Sequence, residues 1–403
     1  MLKKISTKQV RLGMHIHELK GAWVDHPFWK SKFIIDNPKD LAKLQSSVIK
    51  EVIIDVSKGL DIEKSQEQST EPEVEAMEVI LEKTLENKKI SAAEETQAAR
   101  RLINASRKAV EGMFSDVRMG KVVTAEAVMP LVDDIAASIE RNQSALISLA
   151  RLKTQDDYTY MHSVAVCALM TALAKQLGLD ETSVKQAGLA GLLHDLGKAA
   201  ISLEILNKPG ALTEEEFKAV KLHPEKGHAL LIESGITDEV TLDVCLHHHE
   251  KMDGSGYPHR LIGDKISLFA KMAAICDVYD AVTSNRPYKS GWEPGESLKK
   301  MASWKGHFDL EILKAFVKSV GIYPIGSVVL LKSNRLGVVV DQSAKSLLTP
   351  IVKVFFSTKL ASRIPIKIVD LSKPASNDEV VALDKAENWG INDVDELWAK
   401  PTV

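Results

Sequence analysis

The sequence predicts a mainly α protein, a helical body with a small α+β module before it and a small β region after it. Three observations lead there. From about residue 124 to 320, apolar residues recur at helical spacing and are punctuated by loops such as NKPGAL and EKMDGSGYPHRL. In the first 60 residues, short β-like runs (MHIHEL, KFIID, EVIIDV) are separated by turn-forming DHP and DNP. Between 321 and 373, the β-branched runs YPIGSVVLL, GVVVDQ, PIVKVFFS and IPIKIVDL are cut by Pro, Gly, Ser and Asn.

Each region has its own justification. Residues 1–60 carry net charge +5 (eleven Lys+Arg, six Asp+Glu), and 61–100 carry −6 (five and eleven), so a boundary falls near 60. That makes 1–60 a small α+β module of unknown function and 61–139 an acidic linker followed by amphipathic helices. In the latter, Val74, Met77 and Leu81, then Leu102, Val110, Met113, Phe114 and Val117, fall at roughly helical spacing. Those faces must pack on the body of the chain or on a second copy of it, which makes a homodimer one expectation. Residues 140–320 are expected to form the helical body; Thr213 with Glu216 three residues on is a capping box within it. Residues 321–373 are expected to form a small barrel or sheet, and 374–403 a polar tail tethered late by Trp389 and Trp398.

Composition excludes several classes. With 403 residues, 52 Lys+Arg and 55 Asp+Glu, the net charge of −3 gives no global basic field for a long nucleic acid. No apolar run is long enough to span a membrane, and MLKKISTKQVRLGM lacks a secretion signal's apolar stretch, so a cytoplasmic location is expected. Cys167, Cys245 and Cys276 are widely spaced, which offers neither a disulfide framework nor a four-thiolate zinc site; they are expected as core fillers.

The chemistry lies in the histidines. Of 12, seven fall between 162 and 249: His162, His194, His223, His228, His247, His248 and His249. Several adjoin carboxylates, as in GLLHDLGK, or one another, as in HHHE, within sequence otherwise suited to burial. Burying such groups without partners costs several kcal/mol each, so they need mutual neutralisation or a cation, which a multivalent metal supplies. Imidazole with carboxylate suits Fe, Mn, Zn, Co or Ni better than Ca²⁺ or Mg²⁺. Five or six ligands exceed one four-coordinate ion, and two ions sharing a carboxylate are the arrangement that clamps a phosphoryl displacement. Lys198, four residues after His194 on an expected continuous helix, would reach a substrate phosphate.

His162, HDLGK at 194–198, LHPEKG around His223, HHE at 248–250, DGSGYP at 253–258 and CDVYDAVTSNRPY at 276–288 occur in an order that resembles the HD-GYP family, a bacterial branch of the HD-domain metal-dependent phosphohydrolases. The resemblance covers roughly 140–320 and implies an all-helical HD-type catalytic bundle. A W-x-x-HPFW-type stretch, here Trp23 to Trp29, resembles an N-terminal region of unknown function found beside such domains.

By resemblance, the metal ligands are His162, His194, Asp195, His223, His248, His249 and Asp277, with Asp195 bridging two divalent ions, Fe or Mn first and Zn, Co or Ni as alternatives. A metal-bridging hydroxide would be the nucleophile, making Asp195 and Lys198 catalytic. Lys198, Arg286, Lys289 and Tyr257 would bind substrate. The implied activity is hydrolysis of cyclic di-GMP to pGpG, in some members onward to GMP; alternatives are a phosphodiesterase preferring cyclic GMP-AMP and a cyclic dinucleotide sensor or adaptor with little turnover. The GYP loop implies contact with a diguanylate cyclase. One departure counts against a third ion: members that hold one carry Glu a helical turn before the first ligand histidine, where this chain has Tyr158. Asp280, one turn after Asp277, is expected to orient a ligand, and His247 to stay outside the site.

Overall fold

The computed structural model describes residues 2–20, 32–45, 47, 49–60, 92–150, 158–208, 210–284, 291–343 and 346–399. In the N-terminal module, strands β1 (Leu2–Ser6), β2 (His15–Lys20), β3 (Phe33–Ile34) and β4 (Glu51–Asp55) surround helix α1 (Pro38–Gln45). The strands pair antiparallel in the order β1-β4-β2-β3. The sheet has its own core, in which Ile16, Val52 and Ile54 meet Leu44 of α1. This is the α+β character that alternating short runs and turns predict. The Trp23–Trp29 stretch lies outside the described residues.

The helical body comprises α2 (Ala92–Arg118), α3 (Ala125–Ala150), α4 (Tyr158–Gln176), α5 (Glu181–Leu193), α6 (Leu203–Leu206), α7 (Glu214–Lys221), α8 (His223–Glu233), α9 (Glu239–His247), α10 (Leu268–Thr283), α11 (Pro294–Ser303) and α12 (Leu310–Val320). Of the two partners left open for the amphipathic helices, α2 takes the body. Leu102, Val110 and Phe114 are buried, and the Phe114 ring meets Tyr160 of α4 edge-on at 5.6 Å. α4 is the central helix, with every residue from Met161 to Ala174 buried, as expected of a helix covered on all sides. Its Val166 and Met170 share a core with Met272 and Tyr279 of α10 and Phe316 of α12. All three cysteines are buried and free.

Local signals set the helix ends. Asp180, Asp238 and Ser267 cap α5, α9 and α10 by accepting backbone N–H groups, and Thr213 with Glu216 forms the reciprocal box of α7. That helix stops at Lys221, and His223 opens the next one, with Pro224 in its first turn.

The C-terminal strands β5 (Val328–Leu331), β6 (Arg335–Asp341), β7 (Ile351–Ser357), β8 (Ser362–Asp370) and β9 (Val380–Leu383) form an antiparallel sheet in the order β8-β7-β6-β5-β9, followed by α13 (Val394–Ala399). β8 and β9 are its two edges, so it is an open sheet rather than a barrel. The polar tail expected from 374 is corrected at Val380–Leu383, which form a strand, while its late tether at Trp398 is present. β9 pairs with β5, and Trp398 on α13 is buried. The signal was weak because the apolar run VVAL of β9 is only four residues long and sits among acidic and polar neighbours, and as an edge strand it has no fully buried residue. No helix among the described residues is long and apolar enough to cross a membrane.

Candidate metal centre

Five helices and a short strap converge on one buried centre. α4 supplies His162, the end of α5 supplies His194 and Asp195, and the first turn of α8 supplies His223. His248 and His249 follow the end of α9, and α10 brings Asp277 and Asp280. The helix expected to run through AGLAGLLHDLGKAAI does not: α5 ends at Leu193 with His194 as its cap, and a 3-10 strap runs from Leu196 to Ala200. Gly197 explains the change. A Cβ there would sit 1.8 Å from the His223 carbonyl oxygen and 2.5 Å from Gly227 N, so only glycine lets the strap lie on the α8 backbone. Lys198 is therefore one 3-10 turn from Asp195 rather than one α turn from His194, and its Nζ donates to Asp195 Oδ2 at 2.5 Å.

The imidazoles are aimed by their outer nitrogens. Nδ1 of His194, His223 and His248 lies 2.8 Å from Gly191 O, 2.7 Å from Val220 O and 3.0 Å from Val244 O, while Nδ1 of His162 lies 2.6 Å from Asp280 Oδ2. A carbonyl or carboxylate oxygen can only accept, so each Nδ1 carries a proton, which leaves the Nε2 of a neutral ring to face the centre with its lone pair. Asp195 stands between two sets of these nitrogens. Its Oδ2 is 3.4 Å from His162 Nε2 and 3.3 Å from His194 Nε2; its Oδ1 is 3.2 Å from His223 Nε2 and 3.8 Å from His248 Nε2. Asp277 extends the first set, 3.0 Å from His162 Nε2, and reaches His249 Nδ1 at 3.7 Å.

Among the described residues, three groups of donor atoms lie close enough to share an ion: His223, His248 and His249; His162, His194 and Asp277; and His194, Asp195 and His248. Asp195 Oδ1 and His194 Nε2 are buried without a hydrogen-bond partner. Leaving such atoms bare costs on the order of 1–3 kcal/mol each, and a cation removes that cost. The nitrogen and carboxylate donors fit borderline first-row divalent ions.

Protonation states agree with ligation. Burial, reinforced by neighbouring His249, His194 and His223, pushes the His248 pKa well below its ordinary value, and burial pushes that of His249 down to about 3. Both rings are neutral at pH 7. Burial opposes ionisation of Asp195, but Lys198 and His194 outweigh it and hold the carboxyl well below the usual range; Asp277 is lowered likewise through its bond to His162. His162 behaves oppositely: burial opposes its charge, yet the bonds to Asp277 and Asp280 prevail and raise its pKa. A charged His162 offsets part of the negative charge of the two carboxylates, and it gives up its Nε2 proton when that nitrogen ligates a cation.

The GYP loop is bolted to this centre. The Tyr257 ring stacks on His249 at 4.7 Å, Tyr257 N donates to His249 O at 3.2 Å, and Lys221 Nζ lies 5.1 Å from the Tyr257 ring centroid. Gly256 packs where a Cβ would be 2.5 Å from both Glu250 Cα and Lys251 N. Sequence reasoning missed Glu250. It is buried, and its oxygens accept from His259 N at 2.7 Å and Leu261 N at 3.0 Å. An acid beside a Gly-rich turn full of orphan N–H groups is the signal that could have found it. Also missed was Arg118, whose guanidinium reaches the strap from α2. His247 stays outside, facing Asp243 and His259. Arg286 and Lys289 lie outside the described residues, as does the side chain of Tyr158.

This buried His/Asp centre at the junction of five helices defines an HD-domain phosphohydrolase, a class that works with divalent metal ions. The family described as "HD domain" matches residues 128–312, and "Domain of unknown function (DUF3391)" matches 2–128. The chain is 49% identical over 399 residues, 99% of itself and 96% of the relative, to the cyclic di-GMP phosphodiesterase PA4108 of Pseudomonas aeruginosa. It is 39% identical to the cyclic di-GMP phosphodiesterase response regulator RpfG of Xanthomonas campestris, over 44% of this chain and 48% of that one. A third relative, 3'3'-cGAMP-specific phosphodiesterase 1 of Vibrio cholerae, is 33% identical over 43% of this chain and 41% of its own length. The chain belongs to the HD-GYP family of HD-domain phosphohydrolases.

Proposed function

We propose that this chain is a two-metal cyclic dinucleotide phosphodiesterase that hydrolyses cyclic di-GMP to linear pGpG, and pGpG onward to GMP. The observation that carries the reading is the placement of Asp195, with one carboxylate oxygen toward His162 and His194 and the other toward His223 and His248. One subsite would use His162, His194, Asp277 and Asp195 Oδ2, the other His223, His248, His249 and Asp195 Oδ1. Fe or Mn suits this donor set, with Zn, Co and Ni as alternatives. Bound there, the ions would lower the pKa of a water toward neutrality and offset phosphate charge.

The chain's own groups do the remaining work. Asp195 and Asp277 hold the negative charge that selects cations, and Asp280 fixes the His162 ring through Nδ1. Lys198, whose side chain is 23% exposed, would donate to a phosphate oxygen, with Arg286 and Lys289 as further phosphate ligands. Tyr257, held on His249, would shape the base or ribose end of the site. In the reaction, a water oxygen bonds to phosphorus, the P–O3′ bond breaks, and the proton ends on O3′, which gives pGpG. Asp253, Ser255 and Arg260 leave the outer side of the GYP loop exposed, the surface through which a diguanylate cyclase would be contacted.

The name of the Vibrio cholerae relative favours cyclic GMP-AMP as a second reading of the substrate. Turnover of both dinucleotides by anaerobically prepared Fe²⁺- or Mn²⁺-loaded protein, with products identified chromatographically, tests the proposal. Faster hydrolysis of cyclic di-GMP with pGpG appearing first is expected. Tight binding without product would make the chain a sensor, and preference for the mixed dinucleotide would select the second reading.

A further inference from the structure

We propose that Arg118, the last residue of α2, is a positioning residue for Lys198, so that α2 is a working part of the catalytic site. Arg118 Nη1 donates to Ile201 O at 3.0 Å and Nη2 to Lys198 O at 3.2 Å. These carbonyls end the 3-10 strap that begins beside Asp195. A 3-10 turn has poor hydrogen-bond geometry; Lys198 O accepts Ile201 N at 3.1 Å, and Arg118 gives it a second donor while also serving Ile201 O beyond the turn. The strap is therefore held from outside. On one side Gly197 lies against the His223 carbonyl; on the other the Arg118 fork spans two carbonyls at once, which a single ammonium cannot do with the same planar geometry. Lys226 Nζ adds a longer contact to Ala200 O at 3.3 Å.

The fork is itself anchored, because α2 packs on α4 two residues from the ligand His162, through Phe114 and Tyr160. Moving the end of α2 would turn the Lys198 backbone and redirect its ammonium. α2 falls within the stretch matched by a domain of unknown function, to which no chemistry is assigned. The fork gives the end of that stretch a task. The inference rests on the phosphodiesterase reading, in which Lys198 binds a substrate phosphate.

The test uses the full-length, metal-loaded protein with Arg118→Gln, Arg118→Lys and Lys198→Met, alone and combined. Arg118→Gln should raise KM for cyclic di-GMP about tenfold with kcat and metal content little changed. It should also speed amide exchange across Lys198–Ile201. Arg118→Lys, which keeps the charge and serves if the glutamine variant does not fold, should not restore KM. In the Lys198→Met background, Arg118→Gln should change KM less than about twofold, because the interaction it supports is already gone. Fully additive effects, or unchanged KM and exchange, would overturn the assignment. Should the wild-type protein hydrolyse no cyclic dinucleotide, the phosphodiesterase reading fails and the exchange measurement alone decides on Arg118: faster exchange keeps it, unchanged exchange removes it.

Discussion

Two carboxylates in this molecule are equally buried and differ in what surrounds them. Glu95, near the start of α2, is 1% exposed, and its oxygens receive Ser138 Oγ at 2.9 Å, Arg141 Nη2 at 2.7 Å and Arg141 Nε at 2.9 Å. Asp195 is also 1% exposed, but one oxygen has only Lys198 as a close donor and the other has no hydrogen bond. The first is a closed ion pair whose demands the chain meets by itself. The second is held open among imidazoles whose lone pairs converge on it. A fold keeps such an arrangement when something outside the chain completes it, so burial alone does not mark a site; incomplete satisfaction does.

That contrast can be broken from either side. Asp195→Asn keeps the shape and removes the shared charge, so kcat/KM should fall by about a thousandfold or more, on the order of 4 kcal/mol of barrier, while the fold survives. Steady-state kinetics beside a melting curve checks it. Glu95→Ala should do the reverse. Arg141, 40% exposed, would be left to solvent, and Ser138 would lose its acceptor, at a cost of about 2 kcal/mol in denaturant unfolding with metal content unchanged.

Glu250→Gln sharpens the comparison, because one amide N–H would face the His259 or Leu261 N–H and free part of the GYP loop. Activity should drop about tenfold, near 1.4 kcal/mol, with both ions retained, as kinetics and metal analysis would show. The smallest effect belongs to Asp378. Burial opposes its charge, but bonds from Ser333 and Arg335 outweigh it and lower its pKa. The folded carboxyl is more acidic than the unfolded one, so this contribution is full above the unfolded value of about 4 and is lost as pH falls through the folded one. Asp378→Asn should remove about 1 kcal/mol at pH 7 and flatten that acid-side loss in pH-dependent unfolding.

Much of this was legible in the sequence because the relevant signals are local. Apolar periodicity at Leu102, Val110, Met113, Phe114 and Val117 reveals α2, the Thr213 box reveals α7, and the clustering of histidines beside Asp195 reveals a charge problem that a cation solves. What escaped depends on contacts far apart in the chain. The strap replaces a helix because Gly197 meets the backbone of α8, and Arg118 acts across 80 residues from Lys198. β9 is a short edge strand whose apolar run VVAL is isolated in a polar stretch, and only its pairing with β5 shows its role. Glu250 sits in plain view within HHE, yet its role follows from the His259 and Leu261 N–H groups of the loop beyond it rather than from its neighbours in sequence.

The most direct test of the shared carboxylate is metal stoichiometry by mass spectrometry on anaerobically purified wild-type and Asp195→Asn protein. The account predicts about two divalent transition ions per wild-type chain and loss of both, or of all but a weakly held one, in the variant. Full loading of the variant, or a fully active wild-type chain holding a single ion, would contradict it.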